Sequence, residues 1–290
     1  MSRWSDEIEG LDPTRDYERI VFLLGTCEFA WDIEKALEFA LFRTYAVPSI
    51  SGLLSRTGAF RRDTRKRYDD TELLLSEISE NGQDSARGRA ALDRINEMHG
   101  HYRIPNADML YVLTTFVVEP PRWLDRFGRR SMTRKERAAW TTYHRALGRR
   151  MGIEGIPEDF AAFDAYGRAY ENAHFRYADS NAEIGEATRD LLLSFYLPGW
   201  LVPFGRPAVH AMCDPPLRAA MGFPSPPPWL QRLVTAGLGA RATLLRWLPG
   251  RRRPRLITAR KRPTYPGGYR ISELGTFPKE PRSDPGRPAR

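Results

Sequence analysis

The feature that most constrains the fold of this 290-residue chain is the spacing of its apolar residues. They recur about every 3.6 positions along most of the chain, and almost no segment shows the strict alternation of a half-buried strand. In residues 86–102, for example, Ala91, Ile95 and Met98 fall at i, i+4 and i+7 on one face. The sequence therefore predicts an all-α fold, with a single globular multi-helix domain over residues 1–250.

Turn and capping residues divide this domain into separate helices. Thr133-Arg-Lys-Glu136 is a capping box, in which the two side chains satisfy first-turn amides reciprocally. Glu119-Pro-Pro is expected to end the helix before it, since proline lacks the amide hydrogen that a helix needs. The predicted helices cover residues 17–42 (as one helix or two), 63–79, 86–102, 106–118, 133–151, 157–177, 182–197, 208–221 and 227–248.

The net charge of +9 is concentrated near one end of the chain. Residues 241–290 carry 14 basic and 3 acidic side chains, whereas residues 1–240 carry 31 basic and 33 acidic ones. A nucleic-acid-binding domain needs its excess charge on the folded surface. We therefore do not favour nucleic acid as a partner of the body.

Residues 251–290 differ from the body in composition, being rich in Arg, Pro and Gly. They also contain five large apolar side chains, which a purely disordered tail usually lacks: Tyr265, Tyr269, Ile271, Leu274 and Phe277. We expect this basic tail to be partly extended or wrapped on the body.

Several features of the sequence bear on its location. Two cysteines, Cys27 and Cys213, cannot form a disulfide framework, and no signal peptide is visible at the N-terminus. The longest uncharged run, residues 191–205, is too short to span a bilayer. These features indicate a cytoplasmic protein. Residues 227–255 contain both apolar and basic side chains, which is compatible with peripheral membrane contact. A helix of this composition more often closes a core.

Motifs for phosphate loops, zinc proteases and serine hydrolases are absent from the sequence. A di-iron carboxylate site requires two Glu-x-x-His pairs on facing helices. The chain has one such pair, Glu171 and His174. We interpret it as an ordinary polar pair.

Two histidines, His99 and His101, lie two residues apart on a predicted helix. Their side chains point about 200° apart and cannot bind one metal ion together. His99 follows the apolar face and points partly inward, whereas His101 lies on a more polar stripe with Asp93 and Glu97. An inward histidine is either a hydrogen-bonded core residue or an axial ligand to a haem iron.

Several segments, in order and spacing, resemble the family of latex-clearing (rubber) oxygenases and the fungal membrane-bound oxygenase of mycophenolic acid biosynthesis. They are Phe39-Ala-Leu-Phe-Arg-Thr-Tyr-Ala-Val-Pro-Ser-Ile-Ser51, Arg65-Lys-Arg-Tyr-Asp-Asp-Thr71, Arg94-Ile-Asn-Glu-Met-His99, Asn106-Ala-Asp-Met-Leu-Tyr-Val-Leu-Thr-Thr-Phe116, Glu119-Pro-Pro-Arg-Trp123 and Gly148-Arg-Arg-Met-Gly-Ile153 followed by Ile156-Pro157. The resemblance covers about residues 17–230 and is closer to the fungal branch.

The resemblance implies a haem b cofactor enclosed by the helices, O₂ as co-substrate, and oxidative cleavage of a C=C bond in an isoprenoid-like chain. His99 matches the proximal haem ligand, and Arg67 and Thr71 match distal residues spaced i, i+4 on one helix face. The distal lysine of the rubber branch falls at Asp70, which can relay protons or orient water but cannot act as an amine ligand. A second distal threonine falls near Thr114 or Thr115, and we assign Thr115 to cofactor binding.

Each of these residues also has a simpler interpretation. Arg67 ends a run with five basic residues among seven, which can be a solvated surface, and Thr115 can be a core threonine bonded to its own helix. Haem propionates need cationic partners, for which Arg43, Arg149 and Arg150 are candidates.

The sequence thus predicts a haem-dependent oxygenase acting on an apolar isoprenoid-like or natural-product substrate. One alternative is a haem or apolar-ligand binding protein without turnover. Another is a membrane-surface adaptor that uses the basic tail.

Overall fold

The computed structural model describes residues 2–248 and 250–276, and within these it contains thirteen α-helices and no strand beyond one isolated bridge. The all-α prediction is confirmed. The helices are α1 (Arg3–Glu9), α2 (Tyr17–Leu23), α3 (Ala30–Thr44), α4 (Pro48–Thr57), α5 (Ala59–Asn81), α6 (Ala86–Gly100), α7 (Asn106–Phe127), α8 (Arg134–Arg150), α9 (Phe160–His174), α10 (Asp179–Ser194), α11 (Val202–Met212), α12 (Pro215–Met221) and α13 (Pro228–Trp247). Among the described residues, no helix has the length and apolar character needed to cross a membrane.

The chain forms two compact units, and each is built from two separate stretches. Unit 1 contains residues 2–64 and 104–255, and unit 2 contains residues 65–103 and 256–276. The boundary at residue 64 falls inside α5, one residue after Asp63 leaves the helical conformation with φ −158° and ψ 77°. The described part of the predicted tail therefore belongs mainly to unit 2, and residues 277–290 lie outside the described residues.

The core of unit 1 is organised around α7. On one side, Leu113 and Val117 pack with Phe163 of α9. On another, Trp123 and Phe127 pack with Ala36 of α3. Because α7 is apolar on several sides, it is buried against four neighbouring helices, α3, α8, α9 and α13.

Helix α7 does not end at the proline pair as predicted, but continues through Pro120 and Pro121 to Phe127. Proline at position 120 cannot donate to the carbonyl of Phe116, four residues earlier. The indole N–H of Trp140 on α8 donates to that carbonyl instead, at 3.0 Å. The carbonyl of Phe116 thus receives a hydrogen bond from another helix. Without this bond, a buried carbonyl lacking a donor would disfavour a continuous helix.

Other helix boundaries differ from the predictions in smaller ways. The predicted helix over 17–42 is interrupted by a π-helical turn at Leu24–Glu28. The predicted helix over 208–221 is two helices, because Asp214 accepts a hydrogen bond from the amide of Leu217 and caps a new helix. The capping box of Thr133 and Glu136 is present and begins α8 as predicted.

Unit 2 consists of α5 beyond Thr64, α6, and a segment that we call the strap, residues 256–276. The strap has little regular structure apart from a single helical turn at Ile271–Glu273. It packs against α6 and pairs with acidic side chains of α5, as described below.

Candidate functional site

Four of the five predicted site residues belong to unit 2. Arg67, Asp70 and Thr71 lie on α5, and His99 lies in the last turn of α6. Residues three and four apart share a helix face, so α5 presents its three residues together. The fifth, Thr115, belongs to α7 in unit 1.

His99 has the properties of a neutral metal ligand. Its Nδ1 atom is shielded from solvent and has no hydrogen-bond partner within the described part of the chain. Burial and the positive charge of Arg67 lower the pKa of His99 to about 4. The imidazole is therefore uncharged at neutral pH and keeps a lone pair for an acceptor such as iron. His101, by contrast, is exposed.

An unpaired buried ring nitrogen is uncommon in folded proteins, because losing a hydrogen bond without compensation costs about 1–3 kcal/mol. Among the described residues, Nδ1 of His99 lacks the hydrogen bond that the simpler interpretation of a core histidine would give it. Its donor chemistry fits the proximal ligand of a haem, which needs one neutral imidazole nitrogen.

Asp70 is almost fully buried and is held by two partners. The ammonium group of Lys66, one helical turn earlier, donates to Asp70 Oδ2 at 2.6 Å. The phenol of Tyr265, from the strap, donates to Asp70 Oδ1. Lys66 also lies 5.6 Å from the centre of the Tyr265 ring. The resemblance gives a lysine to position 70, where this chain has Asp70. The amine of Lys66 lies beside that position instead.

Arg67 and Thr71 are both partly buried. The hydroxyl of Thr71 donates to the backbone carbonyl of Arg67 at 3.0 Å. This bond fixes the Thr71 rotamer and leaves the hydroxyl oxygen free to accept a further hydrogen bond.

The acidic side chains of α5 form a stripe that the strap neutralises. Arg262 of the strap is buried and pairs with Asp69 and Glu72. Farther along, the phenol of Tyr269 donates to Glu77 at 2.6 Å. Although burial opposes it, hydrogen bonds from Arg87 and Tyr269 lower the pKa of Glu77. The strap is thus bound by charge-assisted hydrogen bonds along the helix that carries three candidate site residues.

The end of the strap approaches the helix that carries His99. Arg94 of α6 donates to the carbonyls of Leu274 and Thr276, at 2.9 and 2.6 Å. Gly275 has a positive φ of 83°, and a β-carbon there would lie only 2.0 Å from the sulfur of Met98. Only glycine satisfies both the backbone conformation and this close approach.

In unit 1, Thr115 is buried and donates to the carbonyl of Val112 at 2.8 Å. It also lines a cavity of about 10 Å³, which is roughly the space that one water molecule requires. The hydrogen bond agrees with the simpler interpretation of a core threonine. The role of Thr115 in cofactor binding stays a prediction.

A buried charge network lies beside the same cavity, which three of its members help to line. Arg43 of α3 donates to both carboxylate oxygens of Glu171 on α9, at 3.1 and 2.7 Å, and also pairs with Asp214. Glu119 lies 3.6 Å from Arg43. Tyr111 donates to Glu171 at 3.0 Å. We call this set the Arg43 network.

The Arg43 network bears on two interpretations made from the sequence. Arg43 is surrounded by carboxylates, so its charge is already balanced without a propionate. Glu171 is held by Arg43 and Tyr111, whereas the ring of His174 stacks on Tyr170 at 4.2 Å. The two residues of the Glu-x-x-His pattern thus make separate structural contacts rather than the polar pair with each other that the sequence suggested.

Two residues of the candidate site were not identified from the sequence. Lys66 is part of the basic run before Arg67, and no sequence signal separates it from its neighbours. Tyr265 lies in the tail, where the aromatic residues indicate an ordered segment but give no partner.

Comparisons with known proteins define the class to which this fold belongs. Residues 40–247 match the family model described as "ER-bound oxygenase mpaB/B'/Rubber oxygenase, catalytic domain". The matched range includes all four candidate residues of unit 2 and Thr115. The chain thus contains an all-α domain that matches the catalytic domain of this oxygenase family.

Individual relatives agree with this class. The chain is 33% identical over 243 residues to an ER-bound oxygenase mpaB' of Penicillium brevicompactum, covering 78% of this chain and 57% of the relative. It is 33% identical over 212 residues to an ER-bound oxygenase mpaB of Penicillium roqueforti (strain FM164), covering 67% of this chain and 71% of the relative. The chain belongs to the mpaB/B'/rubber oxygenase catalytic-domain family, as the sequence motifs indicated.

Proposed function

We propose that this chain is a haem b-dependent oxygenase that uses O₂ to oxidise an apolar, isoprenoid-like or natural-product substrate, with cleavage of a C=C bond as the reaction. The observation that carries the proposal is the neutral, solvent-shielded and unpartnered Nδ1 of His99. The family membership supports oxygenase chemistry, and the near-neutral charge of residues 1–240 is consistent with an uncharged substrate.

In this proposal His99 would hold the iron of the haem. The last turn of α6 positions the imidazole, and the low pKa of His99 keeps it deprotonated throughout the physiological range. A bound haem would supply the activation of O₂, while the protein supplies position and polarity. His99 thus acts only as a fixed, uncharged donor.

Arg67 and Thr71 would provide polar contacts on the oxygen-binding side. The guanidinium of Arg67 stabilises negative charge that develops on oxygen during the reaction. The Thr71 hydroxyl donates to the Arg67 carbonyl, so its oxygen is oriented to accept a hydrogen bond from water or substrate.

Asp70 would move or hold a proton. Its Oδ2 accepts from Lys66, and its Oδ1 accepts from Tyr265, so both oxygens are occupied by donors. Burial and the hydrogen bond to Asp70 raise the pKa of Tyr265, which keeps the phenol protonated. These hydrogen bonds therefore join Lys66, Asp70 and Tyr265 into a chain that can exchange protons. The tyrosine stays a neutral phenol in this exchange.

The absorption spectrum of the protein, expressed with a supply of haem, tests the proposal. We expect a Soret band, one iron per chain, and loss of most of both in His99→Ala. The matched control is His101→Ala, which changes an exposed histidine two residues away and should keep both. Added imidazole should restore part of the spectrum of His99→Ala, because it can replace the missing ligand.

Absence of a Soret band in the wild-type protein, or an unchanged ferrous spectrum in His99→Ala, contradicts the assignment. Uptake of O₂ and formation of carbonyl products from an isoprenoid alkene separate the oxygenase from a haem protein without turnover. A haem-loaded protein that consumes no O₂ with any alkene offered supports the binding protein instead.

A further inference from the structure

Helix α13 has two apolar faces, and unit 1 covers only one of them. On the inner side, Leu238 packs against the cluster of Trp123 and Phe127, and Ala242 is buried. Arg241 stacks over Trp31 at 3.7 Å and pairs with a buried aspartate. These contacts fix which side of the helix faces the protein.

The opposite side of α13, which we call the outer face, consists of Trp229, Leu233, Ala236, Ala240, Leu244 and Trp247. These six residues follow the spacing i, i+4, i+7, i+11, i+15 and i+18, which places them within an arc of about 80° at 100° per residue. The exposed fractions are 63% for Trp229, 60% for Leu233 and Leu244, and 84% for Trp247. An apolar stripe along a whole helix indicates a binding surface rather than scattered surface residues.

The segment that carries the outer face is basic, although two of its arginines pair with acidic side chains elsewhere in unit 1. Between residues 227 and 255 the chain has seven arginines and no acidic residue. Arg232, Arg246 and Arg251–Arg253 are exposed, and the indole of Trp4 holds the Arg251 carbonyl at 2.6 Å. The basic run is thus anchored to unit 1 directly after α13.

Further exposed aromatic residues lie before α11 and in its first turn, and this helix packs against α13. Tyr196, Trp200 and Phe204 are 60%, 73% and 78% exposed. Tryptophan and tyrosine are the residues that favour the boundary between lipid and water, because their rings combine an apolar body with a polar atom.

We propose that the outer face of α13 docks unit 1 on an anionic lipid bilayer, with the helix lying in the plane of the membrane surface. The two tryptophans are about 27 Å apart along the axis at 1.5 Å per residue, so both ends of the helix are anchored. The apolar side chains enter the boundary between headgroups and acyl chains, and the arginines bind lipid phosphates and carboxylates. A second copy of the chain fits less well, since it would bring the same arginines against each other.

Flotation with vesicles of phosphatidylcholine, alone or with 30% phosphatidylserine, tests this proposal on the full chain. We expect the wild-type protein to float with the anionic vesicles, to bind about tenfold less to neutral ones, and to lose affinity with added salt. In Trp229→Ser/Leu233→Ser/Trp247→Ser, binding should fall by at least about tenfold, because the apolar anchor is lost. A blue shift of tryptophan fluorescence on vesicles should disappear in the same variant.

Two further variants complete the design. Tyr177→Ser changes an exposed aromatic residue outside the outer face and should bind like the wild type. Arg251→Glu/Arg252→Glu/Arg253→Glu should lose the preference for anionic lipid while keeping the apolar face. If circular dichroism shows that the triple serine variant does not fold, the single variants Trp229→Ser and Trp247→Ser replace it in the flotation assay.

Failure of the wild type to float with anionic vesicles overturns the proposal, as does equal binding by the triple serine variant. A concentration-dependent dimer that the serine variant abolishes, without vesicle binding, assigns the face to a second copy and also overturns it. None of these outcomes depends on haem or on turnover.

Discussion

Replacing Arg43 by methionine tests whether the buried Arg43 network stabilises unit 1. Removal of one partner from a buried ion pair typically costs about 3–5 kcal/mol, because the other partner keeps a buried charge. In this network Glu119 retains Arg122 at 2.7 Å, and the Asp214 side chain is 40% exposed and can be solvated. Among the residues that the structure describes, Glu171 then retains only the hydroxyl of Tyr111 as a partner. We therefore expect a loss near the lower end of the range, about 3 kcal/mol.

Urea denaturation followed by circular dichroism gives the free energy of unfolding of each variant, with hydrogen exchange in α9 reporting on unit 1. The matched control is Arg168→Met. Arg168 also donates twice to a carboxylate, that of Asp164, but its side chain is 68% exposed. The control should lose no more than about 0.5 kcal/mol, since surface ion pairs contribute little.

The pH dependence gives a second, independent test. Although burial opposes it, the charge of Arg43 lowers the pKa of Asp214. A lowered folded-state pKa stabilises the protein above the unfolded value, near 4, and this contribution disappears as the pH falls through the folded value. The difference in the free energy of unfolding between the wild type and Arg43→Met should therefore become smaller below about pH 4. The prediction is refuted if Arg43→Met loses no more free energy of unfolding than Arg168→Met. It is also refuted if the difference in this free energy between the wild type and Arg43→Met does not change with pH.

Three further predictions concern other buried groups. Burial lowers the pKa of His144 to about 4, from 6.5 when unfolded, so stability should fall as the pH drops from 6.5 to 4. His144→Phe should remove only the part of this loss that His144 contributes, about 3 kcal/mol in urea titrations, because His99 and His210 have similarly lowered pKa values. A loss of stability equal to that of the wild type over this pH range would contradict this. Gly275→Ala should destabilise unit 2 by about 1–3 kcal/mol and expose the strap to hydrogen exchange. The control Gly268→Ala has a similar φ but open space around it, so it should lower the free energy of unfolding by less. Equal losses in the two variants would exclude a role for the close contact between Gly275 and Met98. Tyr265→Phe removes a donor to Asp70 and should lower the free energy of unfolding by about 1.5–3 kcal/mol, so a loss below 0.5 kcal/mol would show that the bond is weak.

The helices could be predicted from the sequence where local signals decide them. The 3.6-residue periodicity predicts helices that the structure confirms, and the capping box at Thr133 predicts where α8 begins. The continuation of α7 through Pro120 could not be predicted, because the compensating donor, Trp140, belongs to another helix. The signal of proline is local, whereas its compensation depends on tertiary packing.

The candidate site shows the same division. The motif order indicates His99, Arg67 and Thr71, and helical spacing places the last two on one face. The partners of Asp70 could not be predicted, because Lys66 lies in a run of similar charges and Tyr265 is almost two hundred positions away. Long-range pairing of a polar strap leaves no periodic pattern in the sequence.

The construction of unit 2 from two distant stretches has a consequence for synthesis. The ribosome makes residues 65–103 first and must add residues 104–255 before the strap begins to appear. At about 5–20 residues per second, this delay is on the order of ten seconds. During that time the acidic stripe of α5 lacks Arg262 and Tyr269, and α6 lacks the contact with Gly275. The histidine helix therefore acquires these contacts only after the whole of residues 104–255 has been made, so any cofactor that it holds firmly is captured after that delay.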